Sequence, residues 1–336
     1  MAGTLPEAGG VLTYSAVAAL NAFLAAQGII TQGNVYWVRP TNGSDVNNGN
    51  SPATALATVQ AALALAKSNQ NDVVLLCAEG DSASVTTSRY NGLLDWNKDM
   101  VHLIGVNSGP MFSSRSRIAF PSAYAAATDL FKVSANGCLI AGIEFFMGVA
   151  SALPTGCMTV TGERNHFLKC QISGMGNANN DIAGAYSLQL SGCQENLFED
   201  CVIGQDTIQL GAQSNSVVLF AGGVARNAFR NCTFMLDTSS ATNCLFLRSG
   251  ATAMDREQFF TDCLFVNATA SGSTTLTHAM AVATGTSPAG MIILSGAKTG
   301  LIGASGWNTT ASGNVFATGG AQATAATWGL AQAVTS

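Results

Sequence analysis

Four cysteines recur at one interval: Cys170, Cys201, Cys232 and Cys263 each lie 31 residues from the next. Thiols in such number raise zinc and redox chemistry first. Structural zinc needs four ligands converging on a tetrahedron, supplied by CxxC pairs or by histidine at short spacing. These cysteines are evenly spread instead, and His166 is the only histidine near them. Just before each cysteine lie two further rows of reactive types: Leu168, Glu199, Arg230, Thr261 and Lys169, Asp200, Asn231, Asp262. Asp200, Glu199 and Asp262 beside Lys169 and Arg230 are what a sugar-cleaving site would use, as paired carboxylates or as a base beside a cation-neutralised uronate. The alternation of Lys over Asp and Glu over Arg also describes a solvated ladder of surface pairs, and that is the reading preferred here. His102, His166 and His278 have no Ser or Cys partner at a telling spacing. The stretch Asn42, Gly43, Ser44, Asp45, Asn47, Asn48, Gly49, Asn50 is oxygen-rich like a Ca²⁺ loop, but lacks the acidic density and closing Glu of an EF-hand. Asn, Gly and Asp build turns without a metal.

What must position these residues is a repeat. Each cysteine sits in one phrase: Asn165, Phe167, Cys170, Ile172; then Asn196, Phe198, Cys201, Ile203; then Asn227, Phe229, Cys232, Phe234; then Gln258, Phe260, Cys263, Phe265. Residues two apart share a strand face, and the three-residue step from Phe to Cys breaks that parity. Two short strands joined by a bend result. A third apolar strand precedes each phrase, at Met158 to Val160, Leu188 to Leu190, Val218 to Phe220 and Leu245 to Leu247. Gly-, Ser- and Asn-rich stretches such as residues 173–180 connect them. A period of this size marks a solenoid. The short β-branched and aromatic segments exclude a helical repeat. The sequence therefore predicts an all-β, right-handed, single-stranded parallel β-helix of ~31 residues per coil, capped by short N-terminal helices. Like residues would stack into Phe, Cys and Asn ladders, which makes the cysteines interior packing.

Four segments follow: a helical arm over residues 1–34, a capping strand, loop and helix over 35–72, the β-helix over 73–303, and a charge-free cap or assembly tail over 304–336. Only 10% of the 336 residues are charged, against ~25% in ordinary soluble domains. Residues 8–38 carry no Lys, Arg, Asp or Glu, and after Cys263 Lys298 is the only one. Such termini are expected to be covered by partner chains or folded over as caps, with Trp307 and Trp328 as contact residues. A net charge of −5 without a basic run excludes nucleic acid as a partner. Residues 17–30 are too short and too interrupted to span a membrane or to act as a secretory signal.

The segment Val35 to Val38, then Asn42-Gly-Ser-Asp45, Gly49-Asn-Ser-Pro52 and Ala55-Leu-Ala-Thr58-Val-Gln-Ala-Ala62 resembles the entry of pectin-lyase-like β-helix proteins. The resemblance implies that this strand and helix cover the mouth of the solenoid, whose first coil begins at Val73. That family hosts lyases, hydrolases, adhesins and phage proteins alike. No row of Asp pairs and no paired arginines match its enzymes, so no catalytic residue, cofactor or metal site is carried over and a non-enzymatic protein is expected. The charge-poor, Ala/Thr/Gly/Ser-rich chain is most similar to structural proteins of tailed-bacteriophage virions. The implied role is a capsid decoration or short head-fibre subunit, trimeric, assembled in the host cytoplasm and bound to capsid protein. The alternative is a carbohydrate-active β-helix (a depolymerase or lyase) using Asp200, Glu199, Asp262 and Lys169, or a glycan-binding adhesin module without catalysis.

Overall fold

Period-two alternation inside each phrase requires strands with one apolar and one solvent-facing side, and the computed structural model shows where each side points. It describes residues 14–29, 33–78, 87–89, 92–106, 116–121, 123–126, 129–153, 155–250, 252–268, 272–282, 290–308, 315–317 and 332–333. Each coil gives one short strand to each of three sheets. In the regular part the first sheet holds His166–Leu168, Leu197–Glu199, Ala228–Arg230 and Gln258–Thr261. The second holds Gln171–Ser173, Val202–Gly204, Thr233–Leu236 and Leu264–Asn267, and the third Gly156–Val160, Tyr186–Ser191, Asn215–Ala221 and Cys244–Ser249. Pairing within these sheets is parallel, and in the first and second it keeps the 31-residue register: Phe167 faces Phe198, which faces Phe229, which faces Phe260. In the third sheet Met158, Leu188, Val218 and Leu247 pair at slightly shorter steps, the difference being taken up in the loops. One repeat is one coil of a parallel β-solenoid, as the sequence predicts.

The phenylalanine ladder is the axis of the core. Ring centroids of Phe167, Phe198, Phe229 and Phe260 lie 4.4, 4.8 and 4.6 Å apart and nearly parallel. Ile172, Ile203, Phe234 and Phe265 form a second buried column, and Trp307 sets its ring edge-on against Phe265 at 5.4 Å. The tight bend between first and second sheets explains the row that precedes the cysteines. Lys169, Asp200, Asn231 and Asp262 have φ of 52°, 54°, 50° and 55°, the left-handed region in which Asp and Asn are the best-tolerated side chains after glycine. The following cysteine turns inward and is buried each time. The thiols are free, and burial also pushes those of Cys138 and Cys193 up to about 12, far from the thiolate a nucleophile needs.

At the N-terminal end, strand Val35–Val38 pairs with Val73–Leu76. Helix α2 (Val59–Leu65) buries Val59, Ala62 and Leu63 over the mouth. Asp45 fastens the oxygen-rich loop to this helix: Oδ1 accepts from the N–H groups of Ala57 and Thr58 and Oδ2 from the Thr58 hydroxyl, all at 2.9 Å. Its oxygens thus serve as a clamp on the α2 cap. Helix α1 (Tyr14–Ala26) lies on the outer face of the first sheet, where Leu24 packs with Trp37, Leu75 and Ile104. Strand Val315–Ala317 adds to the first sheet beyond residue 303. Residues 1–13 of the arm and most of the tail, Trp328 included, lie outside the described residues.

His102 is a packing residue of the first sheet. It is buried; its Nδ1 accepts the Leu139 N–H at 3.0 Å, and Nε2 faces Asn71 Oδ1 at 3.3 Å. Burial lowers its pKa from 6.5 to about 4. The folded chain holds it neutral while the unfolded chain protonates near 6.5, so its contribution is present above that pH and is lost as pH falls towards 4. A loss of about 3 kcal/mol is expected across that window. Denaturant titrations at stepped pH check it, since His102→Asn keeps an acceptor for Leu139 but should lack this part of the acid sensitivity.

Candidate functional site

The outward side of the second sheet carries the chain's polar cleft. Arg117 on Ser116–Ala119, Glu144 on Ile143–Phe146 and Gln171 on Gln171–Ser173 are aligned partners in one outward column. Phe146 and Ser173 are paired in the next. Residues 205–208 leave the sheet after Gly204 as a loop and form the far wall. Gly204 makes that departure possible: its φ is +94°, and a Cβ there would lie 2.1 Å from the Met235 carbonyl oxygen. Gln205 then holds the loop, accepting from the N–H groups of Thr207 and Ile208 and donating to the carbonyls of Met175 and Ile208. The cleft between has a volume of about 350 Å³.

Its floor is electrostatically organised. Arg117 Nη2 donates to Glu144 Oε1 at 2.9 Å, and Nε lies 2.8 Å from Oε2, close but poorly aligned for a hydrogen bond. Both side chains are largely buried, with 12% and 4% exposure. A carboxylate so placed needs its cation, because removing one partner leaves an unpaired buried charge. The guanidinium also rests 4.5 Å over the Phe146 ring. Gln171 donates through Nε2 to the Ser173 hydroxyl at 3.2 Å, while its Oε1 is buried with no partner among the described residues. At the rim Asp206 and Thr207 are exposed. The cleft therefore offers a fixed ion pair, an unused amide oxygen, an aromatic edge, and a free carboxylate and hydroxyl. These groups suit a ligand that presents many hydroxyls along an extended chain.

The rows singled out from the sequence are placed elsewhere. Glu199 contacts His166, with Oε2 3.1 Å from Nε2; Asp200 accepts from Asn231 Nδ2 at 2.6 Å; Asp262 accepts from the Lys298 N–H at 3.1 Å. Lys169 borders a different, apolar groove. The structure brings none of them to the polar cleft. Arg117 and Glu144 were legible in principle. Gln171 occupies the outward place between Cys170 and Ile172, and the same place one coil earlier, between Ile143 and Phe145, is Glu144. Among the described residues no three His, Cys, Asp or Glu side chains are grouped as a metal site.

No protein-family model matches the sequence, and comparison with curated proteins finds no match. Solved structures do match. A pectate lyase aligns over 85% of this chain and 78% of its own, with a TM-score of 0.51 and 13% identity. The fold is the pectate-lyase-like β-helix. A pectin methylesterase from Aspergillus niger aligns over 85% of this chain and 93% of its own, with a TM-score of 0.46 and 13% identity. A rhamnogalacturonan lyase aligns over 85% and 66%, with a TM-score of 0.35 and 12% identity. At these identities the likeness establishes architecture. It also corrects one expectation: the pectate lyase that shares this fold is an enzyme, so the fold gives no ground for expecting a non-enzymatic protein. The expected link to bacteriophage virions, capsid decoration and a homotrimer finds no support in these neighbours.

Proposed function

We propose that this chain is a carbohydrate-active β-helix that binds a polysaccharide in the second-sheet cleft and cleaves it. The observation that carries the reading is the buried Arg117–Glu144 pair on the cleft floor with the exposed Asp206 carboxylate at its rim. Arg117 and Glu144 fix the charge and the hydrogen-bonding pattern against which a sugar residue is oriented, and Gln171 adds an acceptor. Asp206, free of that pairing and open to solvent, is the group placed to move a proton at the bond being broken.

The test is release of new chain ends from a panel of polysaccharides that includes polygalacturonate, with binding measured in parallel. Asp206→Asn is expected to lower release about 100-fold while leaving binding intact; Glu144→Gln should weaken binding, with thermal melting as the control for folding. Binding without release from any member of the panel would reduce the protein to a glycan-binding module. Absence of binding would overturn the reading.

A further inference from the structure

A second cleft lies on the first sheet, away from the polar one, and its chemistry is opposite. Helix α1 covers the N-terminal half of the sheet's outer face incompletely. Leu20 and Phe23 form one wall, and Trp37, Leu75, Ile104, Ala141 and Leu168 the floor, leaving about 370 Å³ between them. The floor residues sit on five successive strands of one sheet, so the groove runs ~19 Å across strands spaced ~4.8 Å. Gly105 and Gly142 line it in the middle. Two polar groups mark its ends. At one, Trp37 is 9% exposed and its indole Nε1–H is buried with no acceptor among the described residues. At the other, the exposed Lys169 borders the opening.

A buried N–H without an acceptor is costly, and a ligand that supplies one removes that cost. An apolar channel with a donor at one end and a cation at the other matches a thin chain with an acceptor at one tip and an anion at the other. We propose that this groove binds an ω-hydroxy fatty acid: carboxylate at Lys169, alkyl chain beneath Leu20 and Phe23, terminal hydroxyl oxygen accepting from Trp37. With ~1.5 Å bonds in an extended zigzag, ~19 Å corresponds to about 16 carbons.

The experiment is calorimetric titration of the full chain with 16-hydroxyhexadecanoate and with hexadecanoate, each below its micelle concentration. The hydroxy acid is expected to bind about tenfold more tightly. Trp37→Phe, which keeps the ring but removes the N–H, should erase that difference, and Lys169→Gln should weaken both ligands alike. Ala141→Leu, which fills the floor, should abolish both; if that variant does not fold, the Trp37→Phe comparison decides. Equal affinity of the native chain for the two acids, or no saturable binding, overturns the proposal. So does light scattering that shows a dimer which Ala141→Leu separates and neither acid perturbs, because the groove would then be filled by a second copy.

Discussion

Phe229→Ala is expected to cost about 3–5 kcal/mol, as large-to-small changes in a closed core do. Phe229 is fully buried, sandwiched between Phe198 at 4.8 Å and Phe260 at 4.6 Å, with Phe234 edge-on at 5.6 Å. The rings above and below are fixed by their own strands, which are held 4.7–4.9 Å from their neighbours by the sheet's hydrogen bonds. They cannot close the gap left by the missing ring, so the cavity term adds to the lost transfer energy. In a solenoid each coil contacts only its neighbours, so the damage should be local. Hydrogen exchange is expected to show faster opening of the strands Leu197–Glu199, Ala228–Arg230 and Gln258–Thr261 than of Val73–Leu76. Phe259→Ala is the control. Phe259 neighbours Phe260 in sequence but is only half-buried on the outer face, and its loss should cost far less. Equal losses at Phe229 and Phe259 would contradict the parity on which the coil is built.

That parity is also why so much of the fold was legible. The offsets from Asn165 to Phe167 and from Cys170 to Ile172 carry two strand faces and one bend, and the 31-residue step carries the stacking. Both are local in sequence. What the period could not convey is what varies from coil to coil on the outside. Glu199 and Asp200 looked reactive because they stood in register with other charged residues, yet register in a solenoid places residues in a line along the axis. The bend selects Asp200, Asn231 and Asp262 for their backbone conformation. The cleft instead combines Arg117 and Glu144 from less regular coils with a loop, residues 205–208, that departs from the repeat. Their proximity depends on the side towards which the loop folds, a three-dimensional fact with no periodic signature.

The asparagine ladder yields the second large effect. Asn165, Asn196, Asn227 and Gln258 are all buried at the turn into the first sheet. Asn196 Oδ1 accepts the Asn165 N–H at 2.9 Å, and its Nδ2 donates to the Gly162 carbonyl at 3.1 Å and to Asn227 Oδ1 at 3.0 Å. Its own N–H donates to Asn227 Oδ1, repeating the link one coil on. Asn196→Ala leaves at least one buried donor and one buried acceptor without partners, each worth ~1–3 kcal/mol, so a loss of about 3 kcal/mol is expected in denaturant titration. Asn196→Gln should recover part of it, because Gln258 plays the same role at the end of the row: its Oε1 faces the Asn227 N–H at 3.3 Å, and its Nε2 donates to the Val224 carbonyl at 3.1 Å. Asn196→Asp separates hydrogen bonding from shape. It keeps the acceptor but puts a carboxylate where burial disfavours charge, which raises its pKa in the folded state above that of the unfolded chain. The variant's deficit relative to the native chain should therefore shrink as pH falls towards the unfolded carboxylate range and be greatest at neutral pH. A deficit independent of pH would mean that the ladder site is open to water, and the buried hydrogen-bonded row would lose its place as the element that locks one coil to the next.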